Sequence, residues 1–179
     1  KAISLNPGKP IAYYNKGNSL YHLGRHDEPV EYYNKALSLK PDFTSAFINM
    51  GSSFDELKRY EEAIECYNQV ISLKPEAAIA ADAYVNKASS LFDLQKYDEA
   101  IECCEKATSL NSGDSLAYYT KGTSLQGLKR YEEAIECFGQ AISLRSDDAD
   151  SYCNKGICFE KLQRYQEAIV CFDQTLSLN

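Results

Sequence analysis

The chain has 179 residues, 44% of them hydrophobic, with 26 acidic residues against 19 basic ones and a formal charge of −7. Nucleic acid and anionic membrane both need a concentrated basic surface, so neither is expected as a partner. No stretch reaches the roughly 18 unbroken apolar residues of a spanning helix, and no signal-like apolar run opens the chain. A soluble, cytoplasmic chain is expected.

Residues Lys1–Lys9 read K-A-I-S-L-N-P-G-K and match Lys35–Asp42, K-A-L-S-L-K-P-D, so the first nine residues are expected to be the end of a preceding, truncated repeat. From Pro10 to Phe43 the chain carries Ile11, Tyr13, Tyr14, Gly17, Leu20 and Tyr21, then Val30, Tyr33, Ala36 and Leu37. Apolar residues three and four apart predict two amphipathic helices. Pro29 falls in the first turn of the second helix, where its missing N–H has no intrahelical partner to lose.

Residues 44–77 form the next unit, and here the pattern declares itself. Lys58–Cys66 reads K-R-Y-E-E-A-I-E-C, and the same nine letters return at Lys129–Cys137. Looser copies stand at Lys96–Cys103, Arg164–Cys171 and Arg25–Tyr32. The acidic pairs of these copies open each second helix, the end where the helix dipole favours negative charge.

Pro75 is expected to end the second helix of this unit. An insertion, residues 78–80, follows within the helix-forming run E-A-A-I-A-A-D-A and predicts an extra turn at the start of the next helix, beginning near Glu76–Ile79. Residues 81–114, 115–148 and 149–179 make units three, four and five, the last truncated. Ser112 and Ser146 replace the joint prolines Pro41 and Pro75, so looser turns are expected there, most of all at Asn111–Asp114.

The register is strict. Gly17, Gly51, Ala88, Gly122 and Gly156 are separated by 34, 37, 34 and 34 residues, with an aromatic column (Tyr13, Phe47, Tyr84, Tyr118, Tyr152) four before them and Leu23, Leu57, Leu94, Leu128 and Leu162 six after. At this spacing the chain resembles the tetratricopeptide repeat, a 34-residue helix-turn-helix unit. The resemblance implies an all-α fold, a right-handed α-solenoid superhelix forming one continuous domain, with the first helices lining a concave ligand-binding face.

On that face the resemblance places Tyr14, Ile48, Val85, Tyr119 and Cys153, then one turn later Asn18, Ser52, Ser89 and Thr123. An asparagine column, Asn15, Asn49, Asn86 and Asn154, with Thr120 in unit four, stands beside them. An amide offers donors and an acceptor together, so such a ladder can pair with an extended peptide backbone whatever its side chains. The competing reading is that Asn recurs only because the units were duplicated. Relatives that clamp the acidic C-terminal tail of heat-shock chaperones carry Lys and Arg on this face. The matching columns here hold no cation, and the lysine column Lys16, Lys87, Lys121 and Lys155 is expected at the rim.

Catalysis is not expected. There is no phosphate-binding glycine loop, and no nucleophile stands with a histidine base. His22 and His26 have zinc-pair spacing, but a turn around Gly24 separates them and His26 occupies a tyrosine column, so no metal and no cofactor are expected. Four of the seven cysteines, Cys66, Cys103, Cys137 and Cys171, share one column, at least one helix spacing of about 8–10 Å apart, beyond disulfide reach; all seven read as packing thiols. The expected function is a scaffold holding a protein or peptide partner in the groove. The alternative is a regulatory or substrate-selecting array of a larger enzyme or complex. Weak self-association through Phe172, Thr175, Leu176 and Leu178 is also expected.

Overall fold

The structure, a computed structural model, describes residues 8–178. The opening segment, residues 1–7, lies outside them, and so does the expectation that it ends a preceding repeat. Among the described residues there are ten α-helices and no strand. They run in pairs: α1 (Pro10–His22) and α2 (Glu28–Leu39), α3 (Thr44–Glu56) and α4 (Tyr60–Ser72), α5 (Ala77–Asp93) and α6 (Tyr97–Leu110), α7 (Ser115–Gly127) and α8 (Tyr131–Leu144), α9 (Ala149–Lys161) and α10 (Tyr165–Leu178). The fold is an all-α solenoid of helix-turn-helix units.

The first helices α1, α3, α7 and α9 are each 13 residues long, whereas α5 has 17 and starts at Ala77. Residues 78–80 are thus absorbed as helix. Their alanine-rich composition costs little in a helix, and a loop would have left the same backbone groups to be satisfied one by one.

Every first helix ends in the same way. The residue two beyond its C-cap donates its N–H back five residues: Arg25 to the Leu20 carbonyl, Arg59 to Phe54, Lys96 to Leu91, Arg130 to Leu125 and Arg164 to Phe159. This is a Schellman closure, which needs a left-handed residue just past the cap. Gly24 supplies it with φ 73°, but the other copies use Lys58, Gln95, Lys129 and Gln163 at φ 57–61°.

The joints between units divide into two kinds. Where proline precedes, the next N-cap (Phe43) makes no side-chain hydrogen bond. Where serine replaces it, an aspartate caps: Asp114 Oδ1 accepts from the Leu116 and Ala117 amides, and Asp148 accepts from the Ser151 amide and hydroxyl. Asn111 Oδ1 further accepts the Gly113 N–H. Hydrogen bonds therefore pin the turns that were expected to be loosest.

The chain divides into two compact units, residues 1–90 and 91–179, the division falling inside α5. In the first, Tyr33, Met50, Phe54, Ala63, Cys66 and Tyr67 are buried together, with Tyr14, Val30, Leu37 and Phe47 packed against them. In the second, Ile101, Leu125, Ala134, Phe138 and Cys158 form one cluster, and Phe159, Ala168 and Cys171 another. Each cluster joins residues of successive helices, as an array requires.

Candidate functional site

Within the first unit, α1 and α3 bring four of the expected residues together. Asn49 Nδ2 donates to the Tyr14 hydroxyl (3.1 Å) and to Asn18 Oδ1 (2.8 Å), and Asn18 Oδ1 also accepts from the Tyr33 hydroxyl (2.9 Å). The two amides are thereby oriented. Asn49 has used both N–H groups and turns only Oδ1 outward, while Asn18 has both acceptor positions filled and keeps its N–H groups. Burial, with further contributions from neighbouring groups, pushes the Tyr33 hydroxyl up to about 12, so it stays a donor at any ordinary pH.

Beside this network lies a pocket of about 120 Å³ lined by Asn18, Tyr21, His22, Asn49 and Ser52. Ser52 Oγ donates to the Ile48 carbonyl (3.2 Å), leaving its lone pairs for the pocket. Burial, then the Glu56 and Asp55 carboxylates, raises Tyr21 above its ordinary value. Tyr21 and His22 were missed from the sequence. The signal available was their place three and four residues after Asn18 on the same helix face.

The other expected residues are distributed unevenly. Asn15 is exposed, and Ile48, Asn86, Ser89, Tyr119, Thr123, Cys153 and Asn154 are half-buried. Val85 at 2% exposure and Thr120 at 5% are inside and offer no surface to a ligand. Both are packing residues of their helices, Val85 with no polar side-chain atom to present and Thr120 buried on α7. In the second unit Asn154 Nδ2 donates to the Tyr119 hydroxyl (3.2 Å), the same contact across 35 residues that Asn49 makes with Tyr14. Two members of the asparagine column, Asn49 and Asn154, thus staple successive first helices together.

The lysine column turns towards second helices. Lys16 Nζ lies 4.3 Å from the centroid of the Tyr32 ring, Lys87 donates to Asn68 Oδ1, and Lys121 pairs with Glu105. His26 stacks edge-on to Tyr21 at 4.9 Å, and its Nδ1 is buried without a hydrogen-bond partner. Among the described residues, no group of three His, Cys, Asp or Glu side chains is placed to hold a metal ion, and no helix is long and apolar enough to cross a membrane. All seven cysteines are free thiols, and burial pushes Cys66 and Cys104 up to about 12.

Three comparisons bear on this geometry. No curated protein matches the chain. Among solved structures, MamA from Desulfovibrio magneticus RS-1 is 20% identical, with 94% of each chain covered and a TM-score of 0.84. YrrB, described as a TPR protein with an unusual peptide-binding site, is 22% identical over 100% of this chain and 91% of its own, with a TM-score of 0.76. Pseudomonas aeruginosa pilF is 19% identical over 95% and 76%, with a TM-score of 0.83. At these identities the likeness is one of fold. The tetratricopeptide repeat model matches residues 10–43, 44–77, 81–114 and 149–179, and a second TPR repeat model matches 127–163. With most of its length matched unit by unit, the chain belongs to the tetratricopeptide repeat family.

Proposed function

We propose that this chain is a protein-interaction scaffold that holds an extended segment of a partner protein against its first helices, in a cytoplasmic setting that keeps its thiols reduced. The observation that carries this reading is the oriented pair Asn18 and Asn49 at the edge of an open pocket. One presents donors and the other an acceptor, which is the complement of a peptide group. Ser52, Asn86 and Ser89 extend the polar line within the same unit. The peptide-binding site described for YrrB supports the reading through shared fold alone. A regulatory array attached to an enzyme would use the same face, and the motif chemistry favours no catalytic role for this chain itself.

The test uses nonapeptides selected from a displayed random library, with affinities measured by fluorescence anisotropy. In Asn49→Ala with Asn86→Ala, each peptide hydrogen bond lost is worth about 1 kcal/mol, so the pair should weaken binding about tenfold or more. Asn49 also bonds Tyr14, so the variant's melting curve is recorded alongside. Unchanged affinity in a folded double variant overturns the groove reading.

A second contact belongs to the same proposal. The α10 face bearing Leu176 and Leu178, with the half-buried Phe172 and Thr175 and the exposed Ile169 and Val170 beside them, receives a second copy of this chain, giving weak self-association.

A further inference from the structure

The pocket beside Asn49 has a chemistry of its own. Its volume of about 120 Å³ has room for the tip of one side chain. α1 supplies Asn18, Tyr21 and His22, and α3 supplies Asn49 and Ser52. No lysine or arginine is among its walls.

Two of those walls are acceptors with no proton left to give. Both N–H groups of Asn49 are committed to Tyr14 and Asn18, and the Ser52 hydroxyl proton is committed to the Ile48 carbonyl. Tyr21 is a further wall, and burial first, then the carboxylates of Glu56 and Asp55, raise its hydroxyl above the ordinary value. Asp55 is held in place as the acceptor of the Tyr67 and Ser90 hydroxyls, both at 2.6 Å, so this negative charge is fixed rather than floppy. Glu56 is exposed on the last turn of α3. The Asn18 amide nitrogen and the Tyr21 hydroxyl are neutral donors from which a peptide carbonyl next to the inserted side chain can accept. Lys16, the nearest cation on α1, is occupied over the Tyr32 ring.

An acidic side chain entering here would meet like charge, and an apolar one would strip water from Asn49 and Ser52 without replacing its hydrogen bonds. A cation satisfies the free oxygens, meets the aromatic ring, and is drawn by the carboxylates. The chain's charge of −7 points the same way. We propose that the pocket is a specificity subsite that takes the ammonium or guanidinium tip of a Lys or Arg in the bound segment. The subsite rests on the peptide-holding reading for its biological use, but its chemistry can be tested apart from it.

The probes are Nα-acetyl-arginine methylamide and its neutral isostere Nα-acetyl-citrulline methylamide, titrated into the ¹⁵N-labelled chain and followed by NMR. The arginine fragment is expected to shift the Asn18, Tyr21, Asn49 and Ser52 resonances together and saturably, and citrulline to do so much more weakly. Because Glu56 is exposed, Glu56→Gln should fold normally and weaken the arginine response about two- to fivefold, the range of an exposed ion pair, with much of the salt dependence removed. Equal responses to the two fragments, an arginine response elsewhere than this pocket, or a Glu56→Gln variant indistinguishable from the parent each overturn the subsite. Failure of the groove reading looks different: the selected nonapeptides bind the Asn49→Ala, Asn86→Ala variant unchanged, whatever the fragments do.

Discussion

Gly122 on α7 and Phe138 on α8 are fitted to each other: a Cβ added at Gly122 would lie 2.7 Å from Phe138 Cε1 and 2.9 Å from Cδ1. The same fit recurs as Gly17 with Tyr33, Gly51 with Tyr67 and Gly156 with Phe172, at 2.6–2.7 Å. In the third repeat the two register positions hold Ala88 and Cys104. In the other four repeats the small residue and the ring are one decision made twice, because two helices can approach across an aromatic face only if one of them has no side chain there.

Gly122→Ala should therefore destabilise, although alanine is the better helix former by about 1 kcal/mol. Overpacking against a fully buried ring costs about 1–3 kcal/mol. Phe138→Leu in the same molecule should restore part of the loss, with a coupling of about 0.5 kcal/mol or more in a double-mutant cycle read by urea denaturation. Additive effects would mean that the ring is not what excludes the methyl group.

The left-handed closure gives a second expectation of opposite sign. Lys129 sits at φ 61° in the position that Gly24 fills in the first repeat. A non-glycine residue there costs about 1–2 kcal/mol, of which the greater flexibility of unfolded glycine returns a part. Lys129→Gly should raise stability by about 0.5–1 kcal/mol at unchanged m-value. Gly24→Ala tests the backbone alone, since nothing lies within 4 Å of the added Cβ, and it should lower stability by about 1 kcal/mol.

Asp148 should make stability pH-dependent in the acid range. Burial by itself would raise its carboxyl, but the Ser151 hydroxyl and amide, with Arg145, outweigh burial and hold it below the ordinary 3.8. A depressed folded value means that the contribution is complete above the unfolded value and is lost as pH falls through the folded one. Asp148→Ala should cost about 1 kcal/mol or more near neutral pH, the worth of an N-cap. That difference from the parent should shrink below pH 3.8. A cost that stays constant down to the acid limit would assign the effect to packing.

The proposed self-association rests on one register position read twice. Ile101 on α6 is 8% exposed in its cluster with Leu125 and Cys158, whereas Ile169, its counterpart on α10, is 55% exposed beside Val170 at 60%, and Leu176 is 75% exposed. Covering about 300–400 Å² of such surface at about 25 cal/mol per Å² offsets little more than the cost of association, so the contact should be weak. Sedimentation velocity should show concentration-dependent association that Ile169→Lys with Leu176→Lys abolishes. A strict monomer at high concentration removes the contact.

Much of this protein is determined by the sequence alone. Helix pairs, their caps and their period follow from local chemistry repeated every 34 residues, and the column of Gly17, Gly51, Gly122 and Gly156 marks the close approaches before any coordinate is known. Even the insertion at residues 78–80 is decided locally, by a run of alanines that goes on as helix. Tertiary structure alone decided which side of each column is spent and which is left over. Asn15, Asn49, Asn86 and Asn154 are the same letter at the same register, yet Asn49 and Asn154 give their amide protons to tyrosines 35 residues away, a contact that requires a hydroxyl on the preceding repeat, and Tyr14 and Tyr119 supply it where Ile48 cannot. Val85 and Thr120 disappear inside, and the lysine column turns onto second helices. Periodicity assigns a residue to a face, but a side chain of three or four bonds chooses among partners that only the packed neighbours bring within reach.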